Sequence, residues 1–103
     1  MSVVRRGGET RADTVVNGLE TLSGGAVFPA SGSDWVMVHD AARPFVDPAD
    51  IRKLRDEVLS AGHGAILAMP MADTVKEASP DRRILATRDR KSLWRAATPQ
   101  AFR

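Results

Sequence analysis

Two short, wholly apolar runs limit what this chain can become: Trp35–Val36–Met37–Val38 and Ala65–Ile66–Leu67–Ala68–Met69. Runs of this length, closed by His39–Asp40 in one case and Pro70 in the other, read as strands buried on both faces, the habit of parallel sheets. Between them Asp47 reads as an N-cap with Pro48 at the first helical position. Ile51, Leu54, Val58 and Leu59 then share one helix face, and Gly62 and Gly64 end it. Upstream, Thr10 with Asp13 forms a capping box that uses Asp where Glu is usual. Ala12, Val15, Val16, Leu19 and Leu22 recur at helical spacing, and Gly24–Gly25 closes that helix. Val3–Val4 reads as the end of a short strand before it. The order strand, helix, strand, helix, strand predicts an α/β fold, a parallel sheet with flanking helices.

After Pro70 the texture changes. Thr74–Glu77 reads as a polar extended strand, Ser79–Pro80–Asp81 as a turn, and Ile84–Thr87 as the return strand. This predicts an exposed hairpin, a β-arm over about residues 71–92. A lone two-stranded hairpin is marginal in water, so the arm is expected to lean on something else, such as a second subunit. Leu93–Gln100 can rejoin the sheet. No repeat or low-complexity tract divides the chain, and residues 1–103 read as one α/β domain.

Composition removes several function classes. With 43% hydrophobic and 27% charged residues the chain is globular, not disordered. No run of 18 apolar residues exists to cross a membrane, and no basic-then-apolar leader opens the sequence. The absence of Cys excludes disulfides, thiolate zinc sites and cysteine nucleophiles, and fits a cytoplasmic location. A pI near 9.7 suggests nucleic acid at first sight. The net charge is only +2, however, and bases are interleaved with acids, as in Arg52–Lys53–Leu54–Arg55–Asp56–Glu57. Phe28, Trp35, Phe45, Trp94 and Phe102 are too scattered for a base-stacking platform. No nucleic acid and no membrane is therefore expected as a partner. Trp35 and Trp94 are expected in the core. His39 and His63 are expected in structural roles, since no metal-ligand spacing surrounds them. The pairs Asp50/Arg52 and Glu57/Arg55 read as a solvated helix face.

Ligands of α/β sheets bind beyond the carboxyl ends of strands, and two loops leave such ends. In Arg5–Arg6–Gly7–Gly8–Glu9–Thr10–Arg11 the glycines permit close backbone approach, the helix start presents N–H groups to an anion, and Arg11 adds a guanidinium fork. A tight turn with a surface Arg explains the same residues. In His39–Asp40–Ala41–Ala42–Arg43–Pro44 a carboxylate leaving a buried strand can meet a hard cation such as Mg²⁺, and Arg43 can neutralise a phosphate. An Asp–Arg pair that merely ties down the loop remains equally open.

Four segments in order resemble one family. They are Gly7–Gly8–Glu9–Thr10–Arg11–Ala12–Asp13–Thr14–Val15, Val38–His39–Asp40–Ala41–Ala42–Arg43–Pro44, Pro70–Met71–Ala72–Asp73–Thr74–Val75–Lys76 and Leu93–Trp94–Arg95–Ala96–Ala97–Thr98–Pro99–Gln100. The family is 2-C-methyl-D-erythritol 4-phosphate cytidylyltransferase, of the non-mevalonate isoprenoid pathway. The resemblance implies a partial Rossmann-like nucleotidyltransferase fold and transfer of CMP from CTP to methylerythritol phosphate, with Mg²⁺ and release of pyrophosphate. It places Gly8, Glu9, Arg11 and Thr14 at the cytosine and ribose pocket, with Thr14 standing where Ser is usual. It places Asp40 on the metal and both ligands, Ala41 against the nucleotide, and Arg43 on the polyol phosphate. Thr74, Arg90 and Thr98 match positions on or beside an arm that completes a partner subunit's site, which implies a homodimer. The chain matches the central part of such an enzyme, without the Gly-rich triphosphate loop at its start or the C-terminal part, and is expected to be inactive alone. A ribitol-phosphate cytidylyltransferase and a non-catalytic oligomerising or binding module are the alternatives.

Overall fold

The computed structural model describes residues 2–25 and 30–103. Phe28 lies outside the described residues. Helix α1 spans Arg11–Ser23, strand β1 Val36–Val38, helix α2 Pro48–Ala61 and strand β2 Ala65–Pro70. Strands β3 (Val75–Ala78) and β4 (Ile84–Arg88) follow, then a 3₁₀ turn at Arg90–Ser92 and strand β5 (Trp94–Phe102).

Local chemistry sets the helix ends. The Thr10 hydroxyl accepts from the Asp13 N–H at 3.1 Å, and the Asp13 carboxylate accepts from the Thr10 N–H at 3.0 Å, which is the reciprocal box expected. At α2 the Asp47 carboxylate accepts from the Ala49 N–H at 2.7 Å, ahead of Pro48. Gly62, at φ 73°, closes α2 in the left-handed region, and its N–H donates to the Val58 carbonyl at 3.0 Å. No strand forms upstream of α1 among the described residues. Val3 and Val4 are exposed, and neither pairs with a strand among the described residues.

The main sheet has the order β1-β5-β2. Strand β5 runs antiparallel to both neighbours, with Met37 opposite Ala101 on one side and Ala65 opposite Ala101 on the other. Strands β1 and β2 thus run in the same direction, as a crossover requires. They do not pair directly, however, since β5 is inserted between them. In place of the expected parallel sheet, every strand pair among the described residues is antiparallel.

Alternation along the strands divides the apolar residues between two faces. Leu54, Val58 and Ala101 form the buried centre, with Met37, Trp35, Ala65 and Leu67 packed against it, so α2 covers one face. Val36, Val38 and Phe102 line a groove of about 310 Å³ with Val15, Leu19 and Leu22 of α1 on the other. The apolar runs are not buried on both faces: β1 is half-buried throughout, whereas Ile66, Ala68 and Met69 of β2 are exposed. Leu59 is 61% exposed, one position outside the stripe that meets the sheet.

Strands β3 and β4 form a separate antiparallel hairpin, with Val75 opposite Arg88. Its turn is closed by the Ser79 N–H to the Arg83 carbonyl and the Arg82 N–H to the Ser79 carbonyl, both 2.9 Å. Cross-strand polar contacts dominate it, notably Arg88–Glu77 at 2.6 Å and the Lys76 ammonium on the Thr87 hydroxyl at 2.6 Å. Trp94 stands at the base of this arm, opposite Pro70, and is 60% exposed. It is not a core residue, because β5 begins there and comes under α2 only farther along, at Ala101. The arm draws the chain out to 50 × 34 × 25 Å with a radius of gyration of 17.3 Å; a compact chain of this size measures about 13 Å.

Candidate active site

The candidate site forms where β1 ends. The chain leaves Val38 and folds back within one turn, with the Arg43 N–H donating to the Asp40 carbonyl at 3.0 Å. His39 Nε2 lies 2.8 Å from the Arg43 carbonyl oxygen and closes the same turn. Asp40 is fixed from the sheet side as well, because its backbone N–H donates to the Thr98 hydroxyl at 3.1 Å.

A bulge explains how Thr98 reaches that position. Ile66 pairs with Gln100 but Leu67 pairs with Ala97, so Thr98 and Pro99 are extra residues on β5. Such a bulge re-aims a side chain out of the ladder. Here it turns a hydroxyl toward the end of β1, with Thr98 only 7% exposed.

The Asp40 carboxylate is bracketed by two guanidinium groups. Arg11 donates to Oδ1 from Nε at 3.2 Å and from Nη2 at 3.1 Å, and Arg43 Nε lies 3.4 Å from Oδ2. The three side chains are partly exposed, Asp40 by 33%. Pairs this wet are worth roughly 0–1 kcal/mol each, so either guanidinium can turn to an anionic ligand at small cost. Arg11 thereby ties the start of α1 to the end of β1, and the two strand-end loops meet at one carboxylate.

Two clefts flank this cluster. One, of about 440 Å³, is lined by Arg11, Thr14, Asp40 and Ala41 on the α1 side. The other, of about 760 Å³, is lined by Arg43, Thr98, Asp50 and Lys53 on the α2 side. His39 lies on the wall of both. Phe45, 98% exposed, stands at the rim of the larger cleft.

The glycine loop is tighter than an open anion cradle. The Gly8 N–H donates to the Thr14 hydroxyl at 3.0 Å, and that hydroxyl donates to the Thr10 carbonyl at 3.0 Å. A Cβ on Gly8 would lie 2.3 Å from the Asp13 Cβ, so only glycine lets the loop press on the first turn of α1. The capping box consumes the N–H groups of Thr10 and Asp13. The N–H groups of Gly8, Thr10 and Asp13 are thus already engaged inside the loop, and Glu9 is exposed beside them.

Arg11, Asp40, Arg43 and Thr98 are brought together, with Ala41 and Thr14 on the adjoining wall. Thr98 lies in the central strand and bonds Asp40 of its own chain, not on the arm where the resemblance allowed it. Thr74 and Arg90 are on the arm. The Arg90 guanidinium donates to the Ala72 carbonyl, and neither residue lines the clefts beside Asp40. His39 and His63 take structural contacts, His63 Nδ1 lying 3.2 Å from the Gly64 carbonyl. Lys53 escaped sequence reasoning. Its signal is its spacing one turn from Asp50 and two from the Asp47 cap, which puts it over the cleft at the N-terminal half of α2.

Among the described residues no group of three or more Asp, Glu, His or Cys gathers to hold a metal. Asp40 is the carboxylate between the clefts, and Oδ2 is met by Arg43 only at the long distance of 3.4 Å, so acceptor capacity is left there. One carboxylate, with the remaining positions filled by phosphate and water, is a normal donor set for Mg²⁺. The residues present fit that ion and do not form a self-sufficient cage.

A partial sheet with helices on its faces, and an acid–guanidinium cluster beyond a strand end, is shared with enzymes of the Rossmann-like nucleotidyltransferase fold. A crystal structure of 4-diphosphocytidyl-2C-methyl-D-erythritol synthase superposes with a TM-score of 0.79 at 44% identity, over 93% of this chain and 44% of its own. That of Francisella tularensis 2-C-methyl-D-erythritol 4-phosphate cytidylyltransferase gives 0.78 at 37% identity, over 94% of this chain and 42% of its own. The family described as 2-C-methyl-D-erythritol 4-phosphate cytidylyltransferase (IspD) matches residues 1–103, and the chain belongs to that family. Relatives of that name include one from Azoarcus sp. (strain BH72), 52% identical over 94% of this chain, and one from Dechloromonas aromatica (strain RCB), 48% identical over all of it. The chain spans about two-fifths of their length, 39% and 43% respectively.

Proposed function

We propose that this chain supplies the central part of a cytidylyltransferase that moves CMP from CTP to 2-C-methyl-D-erythritol 4-phosphate. The observation that carries the reading is the meeting of Arg11, Arg43 and Thr98 at Asp40, between two clefts. In the reaction an oxygen of the polyol phosphate attacks the α-phosphorus of CTP. A new O–P bond forms, the bond from the α-phosphorus to the bridging oxygen breaks, and pyrophosphate leaves with that oxygen. No covalent enzyme intermediate is required, so the protein's task is to position the phosphates and neutralise them.

In this reading the smaller cleft takes the nucleotide. Arg11, Thr14 and Ala41 line its wall, Gly8 holds the Thr14 hydroxyl from the adjoining loop, and Glu9 of that loop joins them at the cytosine and ribose by resemblance. The larger cleft takes the polyol phosphate, which Arg43 holds. Asp40, between them, is the residue that would hold Mg²⁺, whose chemistry is to screen the charge of the phosphates. Thr74 and Arg90 serve the site of a second copy, reached by the arm of a homodimer. The reaction is assigned to the cytoplasm. The names of both relatives favour methylerythritol phosphate over ribitol phosphate as acceptor.

The test uses a hybrid in which this chain replaces the matching segment of the Dechloromonas aromatica relative. Pyrophosphate release is expected with CTP, Mg²⁺ and methylerythritol phosphate, and at least tenfold less with ribitol phosphate. The 103-residue chain alone is expected to release pyrophosphate at background. A well-folded hybrid that is silent with both acceptors points to a binding module and defeats the proposal.

A further inference from the structure

We propose that His39 is a positioning residue for Arg43, acting through the Arg43 backbone and not through substrate. The proposal rests on the cytidylyl-transfer reading, in which Arg43 holds the acceptor phosphate. A histidine at a strand end is usually explained by burial, but His39 is exposed, so packing does not account for it. What it does make is a bond of 2.8 Å from Nε2 to the Arg43 carbonyl. A carbonyl only accepts, so Nε2 carries the hydrogen of this bond.

This contact spans the turn that carries the site. The Arg43 N–H is held by the Asp40 carbonyl at 3.0 Å, and the Arg43 C=O is held by His39. With both backbone groups of Arg43 fixed, only its side chain stays free to choose between Asp40 Oδ2 at 3.4 Å and a ligand in the larger cleft. Pro44 follows and has no N–H with which to hold the chain on that side. Without the imidazole the turn keeps only one of its two clamps, and Arg43 must be ordered by the ligand itself. A preorganised cation costs less to engage than one that must be ordered on binding. The consequence falls first on the acceptor, because Arg11 is carried by α1 and meets this turn only at the Asp40 side chain.

The hybrid enzyme tests this with His39→Leu and His39→Gln, the glutamine amide keeping an N–H donor at similar reach. His39→Leu is expected to raise KM for methylerythritol phosphate roughly fivefold, the worth of about one hydrogen bond. KM for CTP and the melting temperature are expected to stay unchanged, and His39→Gln to recover most of the loss. An unchanged acceptor KM overturns the proposal, as does an equal rise in both KM values or a failure of glutamine to rescue. A second readout is independent of turnover. In the 103-residue chain, nitrogen NMR of His39 is expected to show hydrogen on Nε2; an Nε2 that carries none overturns the proposal. A silent parent hybrid defeats the transfer reading, and this measurement then decides the His39 contact on its own.

Discussion

At the scale of single residues, Asp40 is the mate of two guanidinium groups and, in the proposed reaction, would also hold a cation. Asp40→Asn keeps the shape and removes the charge. In the hybrid, the Mg²⁺-dependent rate is expected to fall on the order of a hundredfold, comparable to the loss of one well-placed electrostatic contact in other active sites. The melting temperature should move little, since the exposed pairs contribute little stability; a near-native rate would return Asp40 to a loop-tying role. Thr98 is the opposite case. Its hydroxyl accepts the Asp40 N–H in a nearly closed environment, so Thr98→Val strands a donor and is expected to cost about 1–3 kcal/mol in urea unfolding. Thr98→Ser should restore most of it. The acid and its two guanidinium partners were legible because strand ends, glycine turns and charge are local signals. The Thr98 contact was not. It depends on a β5 bulge opposite Ile66–Leu67, which is a property of pairing and leaves no mark in either strand alone.

Among the elements, the helices were read nearly to the residue because their ends are set by neighbours in sequence: Thr10 with Asp13, Asp47 with Pro48, and Gly62. The Gly62 cap gives a direct check. At φ 73° with no atom within 4 Å of a built Cβ, the cost of Gly62→Ala is backbone strain alone. That is expected to be about 1 kcal/mol, the left-handed penalty, seen as a lower urea midpoint at unchanged slope. A neutral result would mean that the α2 cap relaxes out of the left-handed region. Strand direction was the part that sequence left open. An apolar run announces burial, but nothing in Trp94–Phe102 says which neighbours it joins or which way it runs. It enters between β1 and β2 because both offer unpaired backbone edges, and its antiparallel course follows from arriving off the arm. Leu59 misleads for a related reason: helical phase places it beside the stripe, yet it is Leu54 and Val58 of α2 that meet Trp35, Met37, Ala65, Leu67 and Ala101.

The molecule as a whole has a small core and a long exposed arm, and that disproportion bears on assembly. Ile84 and Leu85 are 66% and 64% exposed. Leu85 is the extra residue of a bulge between the Ala78–Ile84 and Glu77–Ala86 pairs, so it is re-aimed out of simple alternation. The hairpin thus carries two adjacent uncovered apolar residues, with Trp94 exposed at its root. A partner that covers them, such as the arm and body of a second copy, satisfies that pattern better than solvent does. Sedimentation of the hybrid is expected to give a dimer. The double variant Ile84→Lys, Leu85→Glu is expected to give monomers and to lose turnover, because Thr74 and Arg90 then no longer reach the second site. If the variant sediments as a monomer but keeps full turnover, each Asp40 centre works without its neighbour's arm. The arm residues are then removed from the site, while the arm itself remains the contact that joins the copies.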